Sequence, residues 1–445
     1  MKRHPRIIAT GRRPPAQHAV RFTMAHRRAE PNQLQTQPIC SMNPILQRTV
    51  LIVSIAFLAV RSYAQAPQAP DPLDSLAMRY VTAFTLSDVA CGADTFAVLA
   101  DHIYTSQDGM CWTKRVLNPS LREGRGGLTY GNGQFVAVGE GVAFLSKDGT
   151  SWQRSATLPD WITKVTFGAG AYLAVGQEYN PRRQSGTHWL VMNSSDGINW
   201  NRQSGPTNEN EQYYLAAAAY GAGRFVVGGW TLHSQTLVMT STNLIDWVRV
   251  PDFPTPTVTG ITYGNGMFVA VGSSIVTSAD GLVWNVQGDG SLNGFSAIAY
   301  GQGNFVAAGA DGRLWSSPDA ALWTPHESGI DGIRAVTYGH GSFVAVGGFY
   351  TAEPRGVAVQ SGGRPQACVE ALGFGSAQNP GFHVLLTADP GRAYRLQSSP
   401  VLPTNSWTEV GRVEIGAWRW PATIHLIDPT ASPTDPQRFY RLISP

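Results

Sequence analysis

One unit recurs seven times along this chain, and any fold must accommodate it. Its fullest copy reads ITYGNGMFVAVGSSIVTSADGLVW, from Ile261 to Trp284. Shorter or degraded versions end at Trp112, Trp152, Trp200, Trp247 and Trp323, and a last copy from Val336 has no terminal Trp. The first glycine of each Tyr-Gly pair, or of its Cys-Gly or Phe-Gly counterpart, falls at 92, 131, 168, 221, 264, 301 and 339, giving spacings of 39, 37, 53, 43, 37 and 38. A period near 40 residues marks a repeat architecture, in which no unit buries both its faces alone.

Each period converts into strands. GITYG alternates in the strand manner, and Asn265-Gly266 supplies the positive-φ residues of a tight hairpin. Phe268 to Gly272, Ile275 to Ser278 and Trp284 to Gln287 follow as three further β-rich segments, with Asp280-Gly281 turning the chain between the last two. Four short antiparallel strands per repeat make a propeller blade, and no sustained 3.6-residue apolar period argues for helix. The reading is all-β: a seven-bladed β-propeller over 67–366 followed by a small β-sandwich over 367–445. Arg79 to Phe84 is a spare strand, read as the clasp that completes the seventh blade; Ala367 to Leu372 is the alternative donor. The glycines ending the second strands, such as Gly176 and Gly272, are expected at bends or close contacts. The Trp residues are expected between blades.

The turn before the fourth strand carries a resemblance. Ser106-x-Asp108-Gly109-x-x-Trp112, Ser146-x-Asp148-Gly149-x-x-Trp152, Ser194-x-Asp196-Gly197-x-x-Trp200 and Ser278-x-Asp280-Gly281-x-x-Trp284 look like the Asp-box of the sialidase-like (BNR-repeat) propellers. That family's box holds one more residue between Asp and Gly. The fourth copy has Asn243 and no Gly before Trp247, and the sixth has Asp319-Ala320 before Trp323. The unit also resembles repeats of secreted proteins of Verrucomicrobia and related bacteria. The resemblance implies a structural role for these Asp and Trp residues, with the Asp and Ser oxygens bonding local backbone N–H groups. The C-terminal segment, with Tyr394, Leu396, Ser399, Trp407-Thr408 and Phe439 to Leu442, resembles a terminal module of the same secreted proteins, implying attachment, export or a simple cap.

The N-terminus reads as an address. Thr49 to Val60 is an apolar run of 12 preceded by Arg48 and followed by Ala64-Gln65-Ala66. This is a secretory signal pattern with cleavage expected after Ala66, and Met42 is an alternative start. Residues 1–66 hold 10 of the 33 basic and 1 of the 30 acidic side chains, so the processed chain carries 23 against 29, a formal −6. Nucleic-acid binding calls for a basic stripe, and none is visible there. The expected location is secreted, periplasmic or cell-surface, with no transmembrane span in the mature chain. Cys91, Cys111 and Cys368 survive cleavage. Their odd number leaves at least one unpaired, and a bond from Cys368 to Cys111 or Cys91 would staple the ring.

Tyr-Gly hairpins and Ser-x-Asp turns share one face of such a ring. The blade-to-blade links and second-to-third-strand loops share the other, where the irregularities fall. Candidate ligand-binding residues there are Tyr179, Arg182, Arg183, His188, Trp189, Glu209, Glu211, Tyr213, Trp230, Tyr350 and Arg355. This mix of aromatics, arginines and carboxylates suits a glycan or peptide. No catalytic residue, metal site or cofactor is expected. A sialidase-like hydrolase can be assembled on paper from Tyr179, Arg182, Arg183, Arg355, Glu209 and Glu211, but the family's N-terminal arginine motif is absent. The leading expectation is a non-catalytic envelope module binding an extracellular glycan or protein. The alternatives are a divergent sialidase-like glycoside hydrolase and a purely structural envelope protein.

Overall fold

The computed structural model describes residues 71–443, apart from 122–125, 140, 160, 180–186, 205–212, 232–234, 288–291, 350–354, 363–367, 375–381, 389–392, 400–406, 415–421 and 432–438. The leader therefore lies outside the described residues. Among the described residues no helix is long and apolar enough to cross a membrane.

Seven four-stranded antiparallel sheets form the propeller. We number the blades by their inner strands: Asp88–Gly92, Gly127–Gly131, Ile162–Gly168, Tyr213–Gly221, Val258–Gly264, Phe295–Gly301 and Gly332–Gly339. Every inner strand ends in the expected hairpin, with two consecutive positive-φ residues: Asn265 at 48° and Gly266 at 77° in blade 5, and Ala93 at 45° and Asp94 at 55° in degraded blade 1. A primed turn of this kind matches strand twist, which is why Asn-Gly recurs there.

The blades interlock through that hairpin. A Cβ built on Gly264 would lie 2.0 Å from Cγ of Tyr300 in the next blade, and one on Gly301 2.0 Å from Cγ of Tyr338. Gly92 meets Tyr130, Gly131 meets Phe167, Gly168 meets Tyr220 and Gly221 meets Tyr263 in the same way. At the last seam Gly339 meets Cys91, whose Sγ takes the place of a ring. Each aromatic then packs on a Phe or Tyr of its own second strand, as Tyr263 does on Phe268 at 4.8 Å between centroids. In blade 1, which has no aromatic at Cys91, His340 of blade 7 stands edge-on to Phe96 at 5.3 Å.

The apolar clusters lie in the seams between blades. Phe268, Val276 and Ile261 of blade 5 pack with Val226, Val238 and Ala217 of blade 4, and Trp284 closes that cluster. Trp152, Trp200, Trp247 and Trp323 likewise sit in the seam with the preceding blade, and Trp112 sits between blades 7 and 1. Burying such surface contributes about 25 cal/mol per Å², so the ring is held by seven apolar seams.

The N-terminal strand closes the ring. Leu76–Thr82 pairs antiparallel with Arg355–Ser361 as the outer strand of blade 7, three residues earlier than the sequence suggests at its start and two at its end. The alternative donor is engaged elsewhere, since Cys368–Phe374 pairs with Phe382–Ala388. The clasp reaches three blades. Asp71 accepts from Ser316 of blade 6 and lies 3.3 Å from His326 Nε2, while Thr82 Oγ1 and the Tyr104 hydroxyl of blade 1 are 2.9 Å apart. Past the propeller, two three-stranded sheets form the small C-terminal unit. A hydrogen bond of 3.1 Å from the buried Tyr440 hydroxyl to the buried Asp428 carboxylate joins them.

Cys111 is disulfide-bonded and Cys91 is free. The Cys368 side chain lies outside the described residues. Burial, with Asp94 adding, pushes the Cys91 thiol up to about 11, so it is an unreactive packing group.

Deleting residues 67–82 should lower the unfolding midpoint and promote self-association, because it strips the ladder from Arg355–Ser361 and leaves a bare sheet edge. Denaturant melts and sedimentation velocity check this. A truncated chain that melts and sediments like its parent would contradict the clasp.

Candidate functional site

The two faces of the ring differ in how far their polar groups are already committed. On the hairpin face, each Ser-x-Asp turn consumes its own carboxylate. Asp280 Oδ1 accepts the backbone N–H of Leu282 at 2.9 Å and of Val283 at 3.0 Å, and Ser278 Oγ accepts from Gly281 at 2.8 Å. Asp108, Asp148, Asp196 and Asp319 repeat the arrangement. The fourth copy does so without Asp or Gly: Asn243 Oδ1 accepts from Ile245 and Asp246 at 2.9 Å, with Leu244 at φ 64°. The indoles tie back to the turn, with Trp152, Trp200 and Trp323 Nε1 donating to Gly149, Gly197 and Ala320 carbonyls.

These bonds to the charged form hold the carboxyls of Asp148, Asp196, Asp280 and Asp319 below the usual range. For Asp148 the Thr150 hydroxyl acts first, then the N–H groups of Ser151 and Thr150. For Asp196 the Asn199 and Ile198 N–H groups and the Asn199 amide do so. At Asp319 burial opposes the shift, and the N–H groups of Ala321 and Leu322 outweigh it. A cavity of about 310 Å³ opens on this face beside Asp108, Ser106 and Arg115. Two of its charged groups are already engaged: Arg115 Nε donates to Thr105 at 2.9 Å, and Asp108 accepts from Met110 and Cys111.

The opposite, loop face begins at the starts of the inner strands. Each of the inner strands of blades 3 to 7 carries a register shift there. In blades 3, 5 and 6 the extra residue is a hydroxyl that bridges to the next blade. Thr163 donates to Leu215 O at 2.7 Å, Thr259 to Phe295 O at 2.7 Å and Ser296 to Ile333 O at 2.6 Å. Blade 1 uses a carboxylate instead. Asp88, 2% exposed, accepts from Leu128 N of blade 2 at 2.8 Å and pairs with Lys164 of blade 3 at 2.7 Å. This pair spans three blades, and its residues are 76 apart in sequence.

Blades 3 and 4 rise above this face. Their second strands, Ala171–Tyr179 and Arg224–Thr231, have 9 and 8 residues against 6 for Met267–Gly272 of blade 5, and Ser342–Phe349 of blade 7 also has 8. At about 3.3 Å per residue that is a lift of roughly 7–10 Å. Tyr214 and Trp230, opposite each other in register, stack there at 5.9 Å with their planes 10° apart, and both are half-buried.

The candidate binding residues divide accordingly. Trp189 and Tyr213 are 4% and 3% exposed and belong to the core between blades 3 and 4, so strand alternation turns them away from the ligand-facing role expected of them. Trp230 is on the loop face. The backbones of Tyr179, His188 and Arg355 lie at strand ends on that face, and their side chains are outside the described residues. Arg182, Arg183, Glu209, Glu211 and Tyr350 lie wholly outside them. For a metal, the described residues offer Asp71, Asp74 and His326, with ligand atoms within 4.8 Å. Asp71 already accepts from Leu73 N and Ser316 and lies 3.3 Å from His326 Nε2, which makes this cluster part of the clasp.

No family model matches the chain, and no curated protein matches it. Among solved structures it is similar to YCF48 bound to D1 peptide, at 14% identity and TM-score 0.49 over 66% of this chain and 97% of that one. It is also similar to the WD40 β-propeller domain of Doa1, at 11% and 0.46 over 65% and 98%. A third is PorZ, an essential bacterial surface component of the type-IX secretion system of Porphyromonas gingivalis, at 10% and 0.43 over 69% and 45%. At such distances these likenesses carry no argument about what this chain binds.

Asn243 supplies a natural control for the turn carboxylates. Asp148→Asn and Asp196→Asn should fold and lose no more than about 1 kcal/mol at pH 7. A carboxyl depressed in the folded state stabilises above its unfolded value and stops doing so as pH falls through the lower folded value. The gap between parent and variant should therefore shrink progressively as pH falls below about 4. Urea melts across that range check it, and a pH-independent gap would contradict it.

Proposed function

We propose that the chain is an exported, non-catalytic binding module of the bacterial cell envelope, a propeller of the sialidase-like, Asp-box kind that holds a glycan or protein on its loop face. The observation that carries this reading is the asymmetry of the faces. Turn carboxylates of the hairpin face are each engaged by two backbone N–H groups, which suits a structural part. The loop face carries the lengthened strands of blades 3 and 4 and a half-buried aromatic pair, the furnishing of a contact surface on a rigid scaffold. Export is supported by the apolar run Thr49 to Val60 and the Ala64-Gln65-Ala66 pattern.

Expression in a Gram-negative host should yield a chain beginning at Pro67, read by intact mass. That material should bind members of a glycan or peptide array and leave them unaltered. Turnover of a glycoside would point to a hydrolase, and a mature chain retaining Thr49 to Val60 would remove the export reading.

A further inference from the structure

A cleft between blades 4 and 5 opens on the loop face and holds polar groups that the fold leaves unused. It has a volume of about 470 Å³ and is lined by Gln235, Thr236, Asp252, Phe253 and Thr255, with Arg249 at its border. That volume lies within the range of small-ligand sites. The link from blade 4 to blade 5, Pro251 to Pro256, forms one wall, and the third strand of blade 4, Thr236–Ser241, begins the other.

Three side chains of blade 4 share the sheet face turned to this cleft. Tyr214 pairs with Trp230, and Trp230 pairs with Thr236. Their neighbours Tyr213, Val227 and Leu237 pack toward blade 3, while Val226, Val238 and Val250 pack toward blade 5. By strand alternation Tyr214, Trp230 and Thr236 therefore look toward blade 5. The stacked Tyr214–Trp230 pair stands beside the cleft on its central side.

The unused groups converge on the same space. Thr255 is 3% exposed, and its Oγ1 is buried with no hydrogen-bond partner among the described residues. Its own carbonyl is taken by the Thr236 hydroxyl. A buried hydroxyl without a partner is uncommon because desolvating it costs free energy that nothing returns. The Asp252 and Gln235 side chains are exposed and bond to no described residue, and Asp252 is held at φ 47°. An acceptor-only carboxylate, an amide that donates and accepts, and a hydroxyl that does both thus line one cleft.

We propose that this cleft binds a neutral saccharide, a reading that rests on the loop face being the binding face. Arg249 and Asp252 place one charge of each sign on the border, which favours neither an anion nor a cation outright. Vicinal sugar hydroxyls each donate and accept at once, as the Asp252, Gln235 and Thr255 set requires. Trp230, opposite the cleft residue Thr236 in register, is the aromatic neighbour on the central side for the apolar side of a pyranose. A peptide added as a strand is disfavoured. The outer strand of blade 4 is only the two residues Val248–Arg249, and Pro251, Pro254 and Pro256 of the wall have no N–H to give.

The test uses the processed chain, residues 67–445, against three probe sets: neutral trisaccharides of glucose, galactose, mannose and N-acetylglucosamine; uronic-acid trisaccharides; and random dodecapeptides. A neutral trisaccharide is expected to bind at least tenfold more tightly than any acidic one and to shift tryptophan emission. Thr255→Val, Asp252→Ala and Trp230→Ala should each weaken it tenfold or more. Thr255→Val should melt at or above the parent temperature, because it removes an unsatisfied hydroxyl, so its loss of binding is not a loss of fold. Binding that survives both Thr255→Val and Asp252→Ala overturns the cleft as the site and leaves the binding-module reading standing. Binding confined to peptides overturns the saccharide and keeps the loop face. Binding to none of the three sets overturns both.

Discussion

The structure depends on a close approach that only glycine permits. At the end of each inner strand the backbone comes so near the first aromatic of the next blade that a methyl group would overlap the ring, 2.0 Å from Cγ at Gly264 and Gly301. Protein interiors are packed as densely as organic crystals, so this contact fixes the distance and angle between neighbours. Seven such contacts run round the ring. Six use Tyr or Phe, and the seventh uses Cys91, with His340 reaching from blade 7 to cover Phe96. The thiol there fills the space that a ring takes at the other six seams.

Once that geometry is set, the remaining features divide by radius and by face. Outer turns anchor a Trp in every seam but that between blades 6 and 7, by a Ser and an Asp or Asn that cap backbone N–H groups. The N-terminal strand ties blades 6, 7 and 1. At the starts of the inner strands, hydroxyls at the bulges and the Asp88–Lys164 pair join the blades on the side opposite the hairpins. The loop face is then free to vary in length, as blades 3 and 4 do, without disturbing the seams.

Much of this was legible in the chain because it repeats. The period gives the blades, Asn-Gly pairs give the hairpins, and a spare strand without a blade gives the closure. What was not legible follows from physical causes. Asn243 and Leu244 build a full turn because an amide oxygen accepts as a carboxylate does and because a Leu tolerates φ 64° there; a search for Asp-Gly passes over them. Tyr213 and Tyr214 are adjacent, yet one is core and the other flanks a cleft. That parity depends on a register shift between Leu215 and Ala217 that leaves no trace in the sequence. Lys164 and Asp88 meet across a blade, with no local pattern to announce them. The cleft wall, Pro-Asp-Phe-Pro-Thr-Pro, reads as a spacer until it is seen against blade 4.

The most direct test is a double-mutant cycle across one seam, Gly301 against Tyr338, followed by urea unfolding of the processed chain. Gly301→Ala alone should cost about 1–3 kcal/mol, since the new methyl meets the ring. With Tyr338→Gly already made, the ring and the Cβ that the methyl would meet at 2.0 and 2.5 Å are both gone. The double variant should then be more stable than the sum of the single losses by over ~1 kcal/mol. Losses that add within about 0.5 kcal/mol would mean that the two residues do not interact, and the interlock would not be what sets the ring.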